Sequence, residues 1–456
     1  VASRPVTVHT SVRLRAVAVV VALLTLLTAM GPVTSARAQA TATDPATDPS
    51  TTTTEGSVTV DPSAPAVAPT LPESGLDPLV TASPDELVAR PVPGPRPEAP
   101  DLTAAGAVLF DPADQVVLAG VDPQVPRRMA STTKIMTLLL ALEALADGSV
   151  APELTVSPFA EEVDHAPGGA SLDLEAGDVV PVEDLLAALL LRSGNGGAVA
   201  LAEHIAGNET AFVSMMNARA VEMGLDDTTF VNSSGLTDDE AHHATPLDLA
   251  LLGIEAMRYP SFAEWAGAAS YDTGFFGVEE NRNEMLTAYE GTIGIKTGFT
   301  TLAGECLVAA AERDGRILYA VVLGSDNRVA DTSALFDHGF EDYARPTPLV
   351  AGDTPATYRW AAGEVPLQVA EDLARTVGAG ATVETVTRLA PDASLPVASG
   401  TPLGEVVLVV DGEEVDRTPL LAAAAVQPST DTAGAAVADT IRAFARLGEQ
   451  RQAVAA

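Results

Sequence analysis

Ser131-Thr132-Thr133-Lys134 opens a run rich in Leu and Ala, and residues three apart share one face of a helical turn. That spacing points a hydroxyl and an amine into the same cleft. A serine hydroxyl needs a base beside it to attack a carbonyl, and a lysine serves once burial or a second cation destabilises its ammonium. Backbone N–H groups at a helix start suit a developing oxyanion. Alone the pair is a weak signal, because a surface Ser and Lys at this spacing is the ordinary case.

Two further groups strengthen it. Ser193-Gly194-Asn195 follows the Leu-rich stretch Val182 to Leu191, in a Gly-flanked loop suited to exposing both polar side chains. Lys296-Thr297-Gly298 ends the apolar strand Ile293-Gly294-Ile295. There a cation and a hydroxyl meet a ligand, and Gly298 lets backbone come close. Helix start, loop and strand follow in the order shared by class A β-lactamases and penicillin-binding proteins. The chemistry this describes is acyl transfer through a serine ester.

The elements that must hold these groups are legible in outline. Order begins near Thr103, where two apolar runs flank Asp111-Pro112-Ala113-Asp114 as a hairpin. Helices are expected from Thr132 to about Ala146, Val182 to Leu191, Gly197 to Ile205 and Glu209 to Met223. Asn208 is the expected cap of the last, and Thr245 with Pro246 opens another. Strands return at Thr292 to Thr297, Gly304 to Ala311 and Arg316 to Leu323, the last two joined at Asp314-Gly315. Asp331 to Tyr343 reads as a closing helix. Strands, helices, strands and a final helix give one α+β domain with an inserted helical region, residues 101–345. Residues 346–426 then show strand-like runs with turns at Ser399-Gly400 and Asp411-Gly412, a small separate β-rich domain.

The remaining sequence concerns address and reach. Arg13 and Arg15 precede an uncharged stretch from Ala16 to Ala36, and Ala36-Arg37-Ala38 offers a small-residue cleavage site. Residues 1–38 are therefore expected to be a signal peptide, with an uncleaved anchor as the alternative. The catalytic domain is expected to act outside the cytoplasm. Residues 39–100, rich in Thr, Ala, Pro and Asp, read as a disordered spacer. In residues 427–456, Val437, Ile441, Phe444 and Leu447 fall at helical spacing. They read equally as a short interfacial helix making peripheral membrane contact or as a frayed tail. The 62 acidic and 25 basic residues leave a net charge of −37, which argues against nucleic acid as a partner. Cys306, the only cysteine, sits in an apolar run and reads as a buried, inert thiol.

On these motifs, the stretch from about Ala104 to Tyr343 resembles the serine-type D-alanyl-D-alanine carboxypeptidases, low-molecular-weight penicillin-binding proteins of the S11 peptidase type. Asn281-Arg282-Asn283-Glu284-Met285-Leu286, Gly294 to Thr300 and Ala303-Gly304-Glu305-Cys306-Leu307 add to the match. Gly400-Thr401-Pro402-Leu403-Gly404 is similar to the C-terminal domain that many members carry. The resemblance implies a β-lactamase/penicillin-binding-protein-like antiparallel sheet flanked by helices. It implies a peptidoglycan pentapeptide ending in D-Ala-D-Ala as substrate, and β-lactams as covalent inhibitors. Ser131 would be the acylated nucleophile, Lys134 its base, and Ser193 a proton relay toward the leaving D-alanine, polarised by Lys296. Asn195 would hold the substrate amide and steady Lys134. Lys296 and Thr297 would receive the terminal carboxylate, beside Gly298. The N–H groups of Ser131 and Phe299 would form the oxyanion hole. Arg316 would lie near the carboxylate, with a surface edge-strand charge as its bland alternative. Two departures stand out: Gly196-Gly197 replaces the usual Asp-Ala, which is expected to loosen the helix start, and Phe299 stands where some members have His.

Three rival readings remain. Asp238, Asp239, Glu240, His242 and His243 crowd one loop and suggest zinc. Adjacent histidines do not readily ligate one ion, and no H-E-x-x-H helix is present, so neither metal nor other cofactor is expected. A class A β-lactamase needs a Glu base on a loop between the second and third motifs, and Gly224 to Asp239 contains none. A non-catalytic sensor of penicillin or wall fragments would need a signalling segment.

Overall fold

The computed structural model describes residues 82–360 and 363–428, together with the backbone of Gln450–Val454. The signal-peptide stretch, most of the spacer and the apolar pattern from Val437 to Leu447 lie outside those residues.

Five antiparallel strands form the central sheet, in the spatial order Val116–Val121, Gly106–Asp111, Arg316–Ser325, Gly304–Arg313, Thr292–Thr300. Successive side chains on a strand point to opposite faces, and here both faces are covered. Val108, Phe110, Val308, Ala310, Val321 and Leu323 join a large core with the helical region. Ala107, Leu109, Leu307, Ala309, Ala320 and Val322 pack the other way, against Leu335 and Phe336 of the closing helix Arg328–Glu341. Double burial is why these strands read as continuous apolar runs rather than as alternating ones. The hairpin at Asp314-Gly315 has φ of 54° and 77°, the left-handed pair that a two-residue turn requires.

The helix Lys134–Ala146 runs through the large core with almost every side chain buried. The helices Val182–Arg192, Asn195–Ala206, Glu209–Glu222 and Pro246–Met257 contribute to the same core. Caps fix their starts: Asn208 accepts from Ala211 N–H, and Thr245 accepts from Asp248 N–H with Pro246 at the first helical position. Asn195 itself begins its helix, with Gly196-Gly197 in its first turn. A Cβ on Gly196 would stand 2.3 Å from Asp164 Cβ and 2.4 Å from Ala160 O. Close packing against the helix Pro158–Asp164 accounts for the small residue.

Composition assigned residues 82–100 to the spacer, and the structure corrects this. Ser83 and Glu86 form a capping box around the helix Pro84–Ala89, and Leu87 is fully buried in the large core. Pro93 O then accepts from Gly378 N–H at 2.9 Å, tying the segment to the start of the β-rich domain. That domain is a six-stranded antiparallel sheet ordered Ala356–Trp360, Gly363–Val369, Glu413–Ala422, Pro402–Val410, Val383–Leu389, Gln450–Val454. It is docked rather than loosely tethered. Tyr343–Ala344 pairs with Val377–Gly378, and the buried Asp111 and Asp114 of the first hairpin accept from Thr376 Oγ1 and Thr376 N–H respectively.

Candidate active site

Ser131 lies in a 3₁₀ turn, Ala130–Thr133, that leads directly into the helix Lys134–Ala146. The residue before it, Ala130, has φ of +48°, in the sparsely populated left-handed region. Two glycines close around this turn. A Cβ on Gly298 would fall 3.0 Å from Ser131 N, and one on Gly235 would fall 2.0 Å from Ala130 O. The strand and the Ser233–Gly235 loop can therefore press backbone against the nucleophile turn only because those positions lack side chains.

Lys134 is fully buried, and its Nζ stands 3.1 Å from Ser131 Oγ. It also donates to Asn195 Oδ1 at 2.9 Å and to Ser234 O at 2.6 Å. Burial, then Lys296, then Arg282, hold its pKa well below the usual lysine value. A neutral amine has two N–H bonds and one lone pair. In that form, with both N–H groups on Asn195 and Ser234, the lone pair would face the Ser131 hydroxyl; in the protonated form the third N–H would donate to it.

Ser193 terminates the helix Val182–Arg192 with φ of +70°, and its buried Oγ has no hydrogen-bond partner among the described residues. Lys296 is buried behind Thr297, its pKa lowered to about 7 by burial, Arg282 and Arg328 in that order. Ser131, Ser193, Asn195, Thr297, Gly298 and Phe299 all line one open cleft of about 870 Å³. Phe299 is 63% exposed at its rim, so the ring serves as a wall rather than as core.

Arg316 is the exception among the expected residues. Lys296, Val308 and Val321 stand in one cross-strand row, and Arg316 is five residues along its strand from that row, roughly 17 Å away. It donates to Asp111 Oδ2 at 2.9 Å, Gly339 O at 2.8 Å and Tyr343 O at 3.0 Å, neutralising a fully buried carboxylate. The arginines at the cleft are instead Arg192, Arg282 and Arg328. Arg328 donates to Gly298 O at 3.4 Å and to Glu284 at 2.7 Å, while Arg192 is held by Glu279 at 3.2 Å. Arg282 has no side-chain hydrogen bond or ion pair among the described residues. Three arginines and three glutamates line the cleft, and with Arg192 and Arg328 paired to Glu279 and Glu284, Arg282 is the cation there without such a partner among the described residues. Arg316→Ala is thus expected to cost about 3 kcal/mol or more in denaturant unfolding, because Asp111 stays buried without its cation. Serine acylation should stay within a few-fold; loss of acylation with unchanged stability would put Arg316 back at the cleft.

His242 and His243 do not converge on a common point. His242 Nδ1 accepts from Val231 N–H at 3.0 Å and Nε2 pairs with Thr133 Oγ1 at 2.7 Å, so both ring nitrogens are already engaged by protein. His243 Nδ1 faces Glu240 O at 3.0 Å. Cys306 is fully buried, and burial raises its pKa to about 11, well away from a reactive thiolate.

Comparison with known proteins places the chain in one family. The sequence model of the D-alanyl-D-alanine carboxypeptidase family, Peptidase S11, matches residues 94–327. The chain is 32% identical over 336 residues to D-alanyl-D-alanine carboxypeptidase DacF of Bacillus subtilis strain 168, covering 70% of this chain and 85% of that protein. It is 31% identical to DacC of Escherichia coli K12, covering 71% and 84% respectively. Among solved structures, penicillin-binding protein 5 from Haemophilus influenzae superposes with a TM-score of 0.59 at 29% identity. That match covers 73% of this chain and all of the other.

Proposed function

The chain belongs to the D-alanyl-D-alanine carboxypeptidase family, and from that footing we propose that it removes the terminal D-alanine of peptidoglycan stem peptides through an ester on Ser131. The observation that carries this reading is the placement of Lys134: a fully buried Nζ 3.1 Å from Ser131 Oγ, with Asn195 Oδ1 and Ser234 O taking its other contacts.

The Ser131 proton passes to Lys134 Nζ as Oγ bonds to the carbonyl carbon of the penultimate D-alanine. The N–H groups of Ser131 and Phe299 receive the oxyanion. Asn195 holds the substrate amide with the side of its carboxamide not engaged by Lys134. Thr297, with the Lys296 cation behind it, receives the terminal carboxylate. The C–N bond then breaks as the proton on Lys134 passes by way of Ser193 Oγ to the departing amine, leaving Lys134 neutral again. Water attacks the ester carbon, Lys134 takes its proton and returns it to Ser131 Oγ as the ester C–O bond breaks, releasing the shortened peptide. The expected leader supports action outside the cytoplasm, where such peptides and β-lactams are met.

A penicillin should acylate the same serine. Its ester keeps the thiazolidine ring, which cannot leave as D-alanine does and blocks water. Glu279, Glu280 and Glu284 line the cleft. Glu279 and Glu284 are each held by an arginine, and Glu280 is exposed to solvent. With the ring in the way of the water that Lys134 would deprotonate, and no positioned carboxylate among the described residues to replace it, general-base help worth about 10²–10⁴-fold is lost at deacylation. The expected result is a penicilloyl adduct stable through gel electrophoresis, alongside steady D-alanine release from a pentapeptide. Fast penicillin hydrolysis with no D-alanine would make this a β-lactamase; a stable adduct with no D-alanine would make it a sensor.

A further inference from the structure

We infer that His242 is a positioning residue: its imidazole ties the turn carrying Ser131 to the loop that holds Lys134. The inference rests on Ser131 being the acylated residue. His242 is 2% exposed and belongs to neither half of that machinery in sequence. Val231 N–H donates to Nδ1 at 3.0 Å, which places the imidazole proton on Nε2. Nε2–H then donates to Thr133 Oγ1 at 2.7 Å. With its oxygen engaged as an acceptor, the Thr133 hydroxyl donates to Ala130 O at 2.7 Å. Ala130 is the left-handed residue immediately before the nucleophile.

The other end of the ring reaches the base. Val231 begins the loop whose Ser234 carbonyl takes an N–H of Lys134 at 2.6 Å. One neutral ring thus sets the hydroxyl direction of Thr133, anchors the strained backbone before Ser131, and fixes the strand of loop that orients Lys134. Burial, then His243, pushes the His242 pKa down to about 4, so this tautomer persists near neutral pH. The edge-on contact with Phe230, centroids 6.1 Å apart, holds the ring plane.

A ring that merely filled space would affect stability but not the rate of acylation in a folded protein. We expect His242→Phe and Thr133→Val each to slow the acylation step by on the order of 10- to 100-fold, the scale of a small misplacement of reacting groups. The dissociation constant of the non-covalent penicillin complex should change little, since Asn195 and Thr297 are untouched. The double variant should be no slower than the slower single one, because both break one chain of contacts. Stopped-flow acylation with a fluorescent penicillin separates these quantities, and circular dichroism checks the fold. Should His242→Phe fold poorly, His242→Gln and His242→Asn decide. Gln places an amide N–H near the Nε2 position and should acylate faster than the shorter Asn. Wild-type rates in His242→Phe, losses that multiply in the double variant, a change confined to the dissociation constant, or equal rates for Gln and Asn would each overturn the inference. A wild-type chain that never acquires the label on Ser131 would remove the proposed function, and this inference with it.

Discussion

Ser131→Ala is expected to abolish both the penicilloyl adduct and D-alanine release, a fall on the order of 10⁴-fold or more, as for a nucleophile acting within a unit. Among the described residues lining the cleft, Ser131 is the one whose hydroxyl has a buried amine beside it, its Oγ 3.1 Å from Lys134 Nζ. The other cleft hydroxyls cannot readily replace it. Ser193 Oγ has no hydrogen-bonded base among the described residues. Thr297 has no base of that kind either, since the buried Lys296 Nζ donates to Thr297 O at 3.3 Å. The fold should barely notice the change. Ser131 makes no capping bond, and Lys134 keeps Asn195 and Ser234 as acceptors. A loss of about 1 kcal/mol or less is expected, within the range seen for exposed or half-buried polar truncations. Intact-mass spectrometry after incubation with penicillin is the measurement. An adduct on the alanine variant would remove Ser131 from its role.

The parts of this site that the sequence disclosed are those set by local spacing. Ser131 and Lys134 share a helical face whatever surrounds them, and the runs at Val182 to Leu191 and Thr292 to Thr297 mark a helix and a strand by pattern alone. Parts built from backbone were invisible. The Ser234 carbonyl that accepts a hydrogen bond from Lys134 Nζ has no side-chain signature, and neither does the left-handed Ala130. Arg316 was misplaced for a geometric reason: strand membership was legible, but the end of the strand that faces the cleft depends on register across three strands. Arg192 has no signature of its own, being beside the Ser193 motif rather than within it, and Arg328 lies 30 residues from Gly298 in sequence and meets it only through the fold. The reading of residues 82–100 as spacer failed because composition weighs Pro and Ala without asking where a single Leu goes. Leu87 finds the core, and Ser83 with Glu86 caps the short helix that delivers it.

Lys134 offers the sharpest test of how the hydroxyl is activated, because charge and basicity can be separated there. Lys134→Arg keeps a cation, whereas Lys134→Gln keeps neither the charge nor a base. If the residue acted mainly by attracting an anion, Arg would retain much of the rate and Gln would not. The geometry argues the opposite, since Asn195 Oδ1 and Ser234 O already use two N–H groups and a third would point at Ser131 Oγ. A protonated lysine there would donate to the hydroxyl instead of accepting from it. Both variants are therefore expected to lose acylation by about 10²–10⁴-fold, the usual worth of a positioned general base. The pH dependence follows with a definite sign. Folding lowers the Lys134 pKa through burial first, then through Lys296 and Arg282. The neutral, active amine is present above that lowered pKa, and activity is lost as pH falls through it. Removing one neighbouring cation should move the limb. Arg282→Gln removes a positive charge that disfavours the ammonium, so the Lys134 pKa should rise and the acidic limb should shift to higher pH. A limb that stayed in place in Arg282→Gln, or a Lys134→Arg variant as fast as wild type, would assign the proton to another group.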